Sequence, residues 1–262
     1  NNIYSALIPN SGTEKHCFLS SDNQAFYLDL VRIRPVESDP QNYAKFTDYN
    51  SINAGNSDYL IISNKALWTE SENYLNYRNN TGYKALLANI TQLYDQYAYG
   101  VRKHPLAIRN FINYAWHNFK VKPAHVLLLG KAYRAGNSGN NIYYRKREEF
   151  YRKTLVPSFG DPPSDNLFTS YIADALPFPS IAIGRISVKN NEQLKIYIDK
   201  LKQYEEAQNQ AQEWQKNILH FGGGTSLTQQ KLFSANLNSY KKTIEDTLLG
   251  ANVRTFLKTS TA

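Results

Sequence analysis

Few side chains in this chain could carry chemistry, and their spacing sets the first limits. Histidines stand at positions 16, 104, 117, 125 and 220, and Cys17 is the single cysteine. The histidines show neither HxH nor HExxH spacing, and one cysteine supports neither a disulfide framework nor a cysteine-rich zinc site. His16 and Cys17 form a formal thiol–imidazole pair, but sequence neighbours rarely set up a dyad. His117 and His125 flank a strand and read as structural. No GxSxG serine elbow is present. In Asn217-Ile218-Leu219-His220-Phe221-Gly222-Gly223-Gly224 an apolar run meets a histidine and then three glycines. A phosphate loop would need Lys at the GxxxxGK offset, and a dinucleotide fingerprint would need glycine where Leu227 stands. Only weak anion binding at a helix N-terminus is left open there. Gly130-Lys131, after an apolar run, reads as a turn glycine and an exposed lysine. In Asp161-Pro162-Pro163-Ser164-Asp165-Asn166 two prolines stiffen a loop holding two carboxylates. Such carboxylates serve either a site or the backbone of a turn, and both readings stay open.

The elements that must position these residues follow from periodicity. Residues 1 to about 55 lack a helical rhythm and hold one clear strand, Ala25 to Ile33. A stretch rich in Pro, Asp, Asn and Ser, from Arg34 to Asn56, then reads as a linker. A boundary near Ala54 separates a β-rich segment, 1–55, from an α/β domain, 56–262. Strands are predicted at Tyr59–Ile62, Tyr83–Leu87, His125–Leu129, Ile181–Ile183 and Ile218–Phe221, with a weaker one at Val253–Leu257. Helical stripes join Ile108, Phe111, Ile112, Ala115 and Phe119 behind Pro105. A second joins Leu194, Tyr197, Ile198, Leu201 and Tyr204 behind Asn190, and a third joins Phe233, Leu237, Tyr240, Ile244 and Leu248, ending at Gly250. Apolar strands alternating with amphipathic helices predict a mostly parallel sheet covered on both faces. Ligands of such sheets lie beyond the carboxyl ends of the strands, so the loops after Ile62, Leu129, Ile183 and Phe221 are the ones to inspect.

The 262 residues are 42% hydrophobic and 20% charged, an ordinary globular composition. No apolar run approaches the roughly 20 residues of a membrane helix. A net charge of +8 raises the question of nucleic acid. The densest basic stretch, Tyr143 to Lys153, interleaves tyrosines with arginines and lysines, as a single-strand binder would. It carries its own acids, Glu148 and Glu149, and reads equally as a solvated helix.

Several compact blocks resemble the gingipain family of cysteine peptidases, particularly its sortase-like members of the type IX secretion system. They are Asp58-Tyr59-Leu60-Ile61-Ile62-Ser63; Tyr94-Asp95-Gln96-Tyr97-Ala98-Tyr99-Gly100 with His104-Pro105-Leu106-Ala107-Ile108-Arg109-Asn110-Phe111; Val126-Leu127-Leu128-Leu129-Gly130; Pro157-Ser158-Phe159-Gly160 with Ser164-Asp165-Asn166-Leu167-Phe168; and Ile181 to Val188. The resemblance implies a caspase-like three-layer α/β/α sandwich and a His–Cys dyad. The histidine would follow one strand and the cysteine would end the next, both after Val253–Leu257. The dyad is therefore expected after residue 262, leaving this part inactive by itself and its catalytic residues unknown. The loops ahead of the Ile183-Gly184-Arg185 block border the family's substrate cleft. That gives Asp165 and Asp174 substrate-binding roles and Arg185 a structural one. Lys131 stands where many members carry an acid. No cofactor is implied, though a structural calcium ion is compatible. The implied partners are a protein or peptide substrate and other components of the secretion machinery, with no nucleic acid and no transmembrane segment. The implied place is outside a Gram-negative cell, secreted or on the outer-membrane surface. Two other classes remain: a non-catalytic peptidase-fold binding component, and a basic nucleic-acid-binding α/β module.

Overall fold

The structure is a computed structural model that describes residues 46–51, 55–133, 148–160, 162–172, 177–210 and 212–258, with isolated positions 12, 36, 38, 40 and 44. The strand expected over Ala25–Ile33 lies outside the described residues. Four parallel strands form the larger sheet: β1 (Tyr59–Ser63), β2 (Ala85–Asn89), β3 (His125–Leu129) and β4 (Ala182–Ile186), in the order β2-β1-β3-β4. Register runs Tyr59 opposite both Ala85 and His125, and His125 opposite Ala182.

Alternation along these short strands builds two cores. Leu60 and Ile62 of β1, with Val126 and Leu128 of β3, face α2 (Ile90–Tyr97) and α3 (Leu106–Asn118), where Leu93, Ile108, Phe111 and Ile112 are fully buried. Ile61, Leu127 and Leu129 face the other way, onto α1 (Trp68–Asn80) and α5 (Asn191–Gln208), against Tyr74, Leu194 and Ile198. Parallel strands apolar on both faces need a helical layer on each, and here both layers are present. A short α4 (Glu148–Lys153) stands ahead of β4. Tyr49 joins the first core, its ring 4.8 Å from that of Phe111. The sandwich thus draws on chain ahead of residue 56.

Asn89 and Asn190 cap their helices as side-chain acceptors, from Thr91 N and Gln193 N respectively. β2 starts two residues later than its periodicity predicts. The Lys84 amide is taken by the Asp58 carboxylate, and the Lys84 carbonyl by the amides of Asp58 and Tyr59, so the ladder begins at Ala85. β4 runs on through Gly184 and Arg185 because both pair with β3.

The remaining strands stand apart. β5 (Asn217–Gly222) and β6 (Asn252–Leu257) pair in parallel with each other, joined by α6 (Leu227–Asp246), and among the described residues neither pairs with the larger sheet. α6 stops at Asp246 rather than running to Gly250. Thr247 is already extended, and Gly250, at φ +52°, closes the following turn onto the Thr247 carbonyl. Leu248 is left fully exposed.

Candidate functional site

The larger sheet reverses its winding between β1 and β3: the chain leaves β1 for β2 on one side and returns to β3 on the other. In open parallel sheets ligands bind beyond the carboxyl ends of the strands at such a point. Here Ser63-Asn64 and Gly130-Lys131 flank it. The crevice is already filled by the chain itself. The Leu155 amide donates to the Lys131 carbonyl at 2.9 Å, and the Asn64 side chain donates to the Leu155 carbonyl at 3.2 Å. Thr154, Val156 and Ser158 are buried. Gly130 makes this contact sterically allowed: its φ is +134°, and a Cβ there would stand 2.9 Å from the Leu155 Cβ. Segment 154–156 thus covers the switch point, and the described carboxyl edge is a platform of chain rather than an open crevice.

Arg185 fastens the platform. Its Nε and Nη2 donate to the two oxygens of Asp165 at 2.7 and 2.9 Å. Nη1 donates to the carbonyls of Gly130 and Val156 at 2.7 and 2.8 Å, and Nη2 also donates to that of Pro157 at 3.0 Å. Those are the five N–H donors a guanidinium possesses, all used. The Ser158 hydroxyl donates to Asp165 Oδ1 at 3.1 Å. Asp165 therefore sits at the expected edge with both oxygens engaged inside the chain. Arg185 spends all its donors inside the chain, which is the structural use that the family resemblance implied.

Lys131, read as an exposed lysine, is half-buried. Its ammonium stands 4.9 Å from the centre of the Tyr133 ring, and that ring stacks on Phe150 at 5.1 Å. Asp174, Asp161, His16 and Cys17 lie outside the described residues. The structure does not gather the other histidines at the platform. His125 is exposed at the amino end of β3, in edge contact with Tyr83. His104 accepts the Leu106 amide at the start of α3, and His117 lies in that helix's last turn. His220 faces α6, its Nδ1 buried without a hydrogen-bond partner. Among the described residues no group of three His, Cys, Asp or Glu side chains could hold a metal ion.

The glycine run is likewise structural. Gly222 lies where a Cβ would meet Leu257 at 2.7 Å and Leu237 at 3.1 Å, and Gly224, at φ +126°, turns the chain into the Ser226 cap of α6. The basic stretch enters the described residues only as α4, where Arg152 and Lys153 pair with Glu148 and Glu149 one turn earlier. Sequence reasoning missed segment 154–156. Its one signal was the buried-type Val156 beside Pro157, which no periodicity distinguishes from any loop.

Among the described residues three strained positions border this half of the molecule. Tyr99, Lys103 and Tyr171 have positive φ of 53°, 55° and 60°, a region that costs side-chain-bearing residues about 1 kcal/mol. Lys103 donates to the Tyr151 carbonyl, and Arg109 donates to the Leu167 and Ser170 carbonyls while lying over Tyr171. Tyr99 has no such compensation in its exposure: 99% of it faces solvent.

The model of peptidase family C25 matches residues 52–261. Among solved structures, one described as a protease superposes with a TM-score of 0.50 at 16% identity, covering 77% of this chain and 40% of its own. At that identity the likeness concerns the fold. The Arg-specific cysteine proteinase gingipain R (RgpB) of Porphyromonas gingivalis gives 0.49 at 17% identity, covering 77% and 41%. Dimeric latent PorU from Porphyromonas gingivalis gives 0.48 at 18%, covering 65% and 20%. The chain thus spans between 20% and 41% of the length of these structures. No curated protein sequence matches it. The three-layer sandwich and mostly parallel sheet agree with a gingipain-like peptidase fold, and with the family model covering residues 52–261, the chain belongs to peptidase family C25.

Proposed function

We propose that this chain forms the N-terminal part of a gingipain-like cysteine peptidase or sortase-like transpeptidase that acts on secreted proteins. The observation that carries the reading is the family match over residues 52–261, on a sheet whose carboxyl edge is sealed into a platform. Asp165 shapes the substrate side of that platform through Arg185, and Asp174 borders the cleft. The His–Cys dyad is supplied from beyond residue 262, with the thiolate attacking the scissile carbonyl and the histidine handling its proton. The protein acts outside a Gram-negative cell, beside other components of the type IX secretion machinery. Among the described residues no helix is long and apolar enough to cross a membrane.

The test is a cysteine-directed peptidyl probe on the full-length protein of which this chain would be the N-terminal part, with the labelled residue mapped by mass spectrometry. Labelling of a cysteine other than Cys17 is expected, and a label on Cys17 would overturn the placement of the nucleophile. A second reading, a non-catalytic binding component, draws on the described histidines lying away from the platform. Peptide binding without labelling or turnover would select it. A nucleic-acid module is disfavoured by the internal pairing of Arg152 and Lys153. It would return only if single-stranded DNA bound with a steep salt dependence.

A further inference from the structure

Lys131 stands two residues beyond β3, on the platform where a parallel sheet takes its ligand. Its backbone is fixed on both sides: its amide donates to the Val188 carbonyl and its carbonyl accepts from Leu155, both at 2.9 Å. Its side chain lies on a shelf of two rings, Tyr133 stacked on Phe150 with 30° between the planes. A ring face attracts a cation but leaves its outward hydrogens unused. Among the described residues no carboxylate pairs with this ammonium. The described acids of the adjoining segments are paired elsewhere, Asp165 with Arg185, Glu148 with Arg152 and Glu149 with Lys153. Arg185 is paired with Asp165, so among the described residues of the platform Lys131 is the cation without a carboxylate partner. A half-buried cation held in place by aromatic rings, without a counter-ion, favours an anionic ligand.

Among the described residues a single ammonium stands here without a glycine cradle, which suits one carboxylate better than a phosphate, which gathers several donors. Building on the peptide-binding reading above, we propose that Lys131 is a specificity-determining residue that seats a carboxylate of the bound peptide. That carboxylate comes from an acidic side chain or from a free C-terminus, and the measurement separates the two.

Four fluorescein-labelled, alanine-rich hexapeptides serve as probes: Glu or Gln at one internal position, each with a free or an amidated C-terminus. Binding to the protein is read by fluorescence polarisation at low ionic strength. A side-chain role predicts that Glu binds about tenfold more tightly than Gln, and a terminal role predicts the same factor for free over amidated ends. Lys131→Met should abolish the preference while retaining affinity for the neutral, amidated peptide, and Lys131→Arg should keep it. Thermal unfolding of both variants checks that they fold. Equal binding of all four peptides, or a preference that survives Lys131→Met, overturns the assignment. Failure of every peptide to bind the wild type overturns the peptide-binding reading itself, and the role of Lys131 with it.

Discussion

Arg185 shows how much of a site can hang on one side chain. Its guanidinium closes five hydrogen bonds to Asp165, Gly130, Val156 and Pro157, in a pair whose side chains are only 12% and 22% exposed. Removing one partner of a buried pair leaves the other charge without compensation, typically at about 3–5 kcal/mol. Arg185→Met should lower the urea midpoint by a corresponding amount, well beyond the effect of an exposed pair such as Lys195–Asp199. Tyr99 is the opposite case, because nothing visible in the fold requires a tyrosine there. Its φ of 53° suits Asn better, so Tyr99→Asn should stabilise the fold by about 0.5–1 kcal/mol in the same titration. At this scale the sequence disclosed residue types but not partners. The family resemblance gave Arg185 a structural role and placed Asp165 beside the cleft. Their mutual engagement spans 20 positions and has no local signature.

The helices divide by what they bury. α3 and α5 were readable because Ile108, Phe111, Ile112, Leu194 and Ile198 repeat at helical spacing and are buried. α1 was not, because its inward stripe is Ser71, Tyr74 and Arg78. The Ser71 hydroxyl lies 2.7 Å from that of Ser63 and from the Leu67 carbonyl. Arg78 reaches the Tyr74 hydroxyl and Glu205 at 2.8 Å, so polar side chains satisfy one another inside. An apolar pattern cannot register such a face. The platform likewise depends on Gly130, whose backbone conformation and closeness to Leu155 both exclude a side chain. Gly130→Ala should cost about 1–3 kcal/mol and loosen segment 154–158 from β3. Equilibrium unfolding measures the first effect. Limited proteolysis measures the second, through new cleavage near Leu155.

At the scale of the whole molecule, the described residues form two sheets of unequal completeness. The larger is covered on both faces, whereas β5–β6 has α6 on one face and Leu219, Phe221 and Phe256 exposed on the other. Phe221 and Phe256 stack at 5.2 Å in the open. The six strands were readable as apolar runs, but their division was not, since hydropathy does not say which strands share a ladder. Phe221→Ser should leave stability within roughly 0.5 kcal/mol and reduce binding of an apolar dye, whereas Val253→Ala, beneath α6, should cost about 1–3 kcal/mol. Alkaline pH tests the larger sandwich. Burial, and for Tyr59 the hydrogen bond with Tyr74, pushes the hydroxyls of Tyr59 and Tyr97 well above the tyrosine range. Above pH of about 10 the unfolded chain loses those protons while the folded chain keeps them. Stability should then fall as pH rises, and less steeply in Tyr59→Phe. A last consequence concerns time rather than energy. The segment that seals the switch point has no regular structure, yet its Leu155 amide is held by Lys131 beneath buried neighbours. Its hydrogen should exchange with solvent as slowly as those of β3, opening only when the sandwich does, while the amides of β5 and β6 exchange through a separate, faster opening of their own.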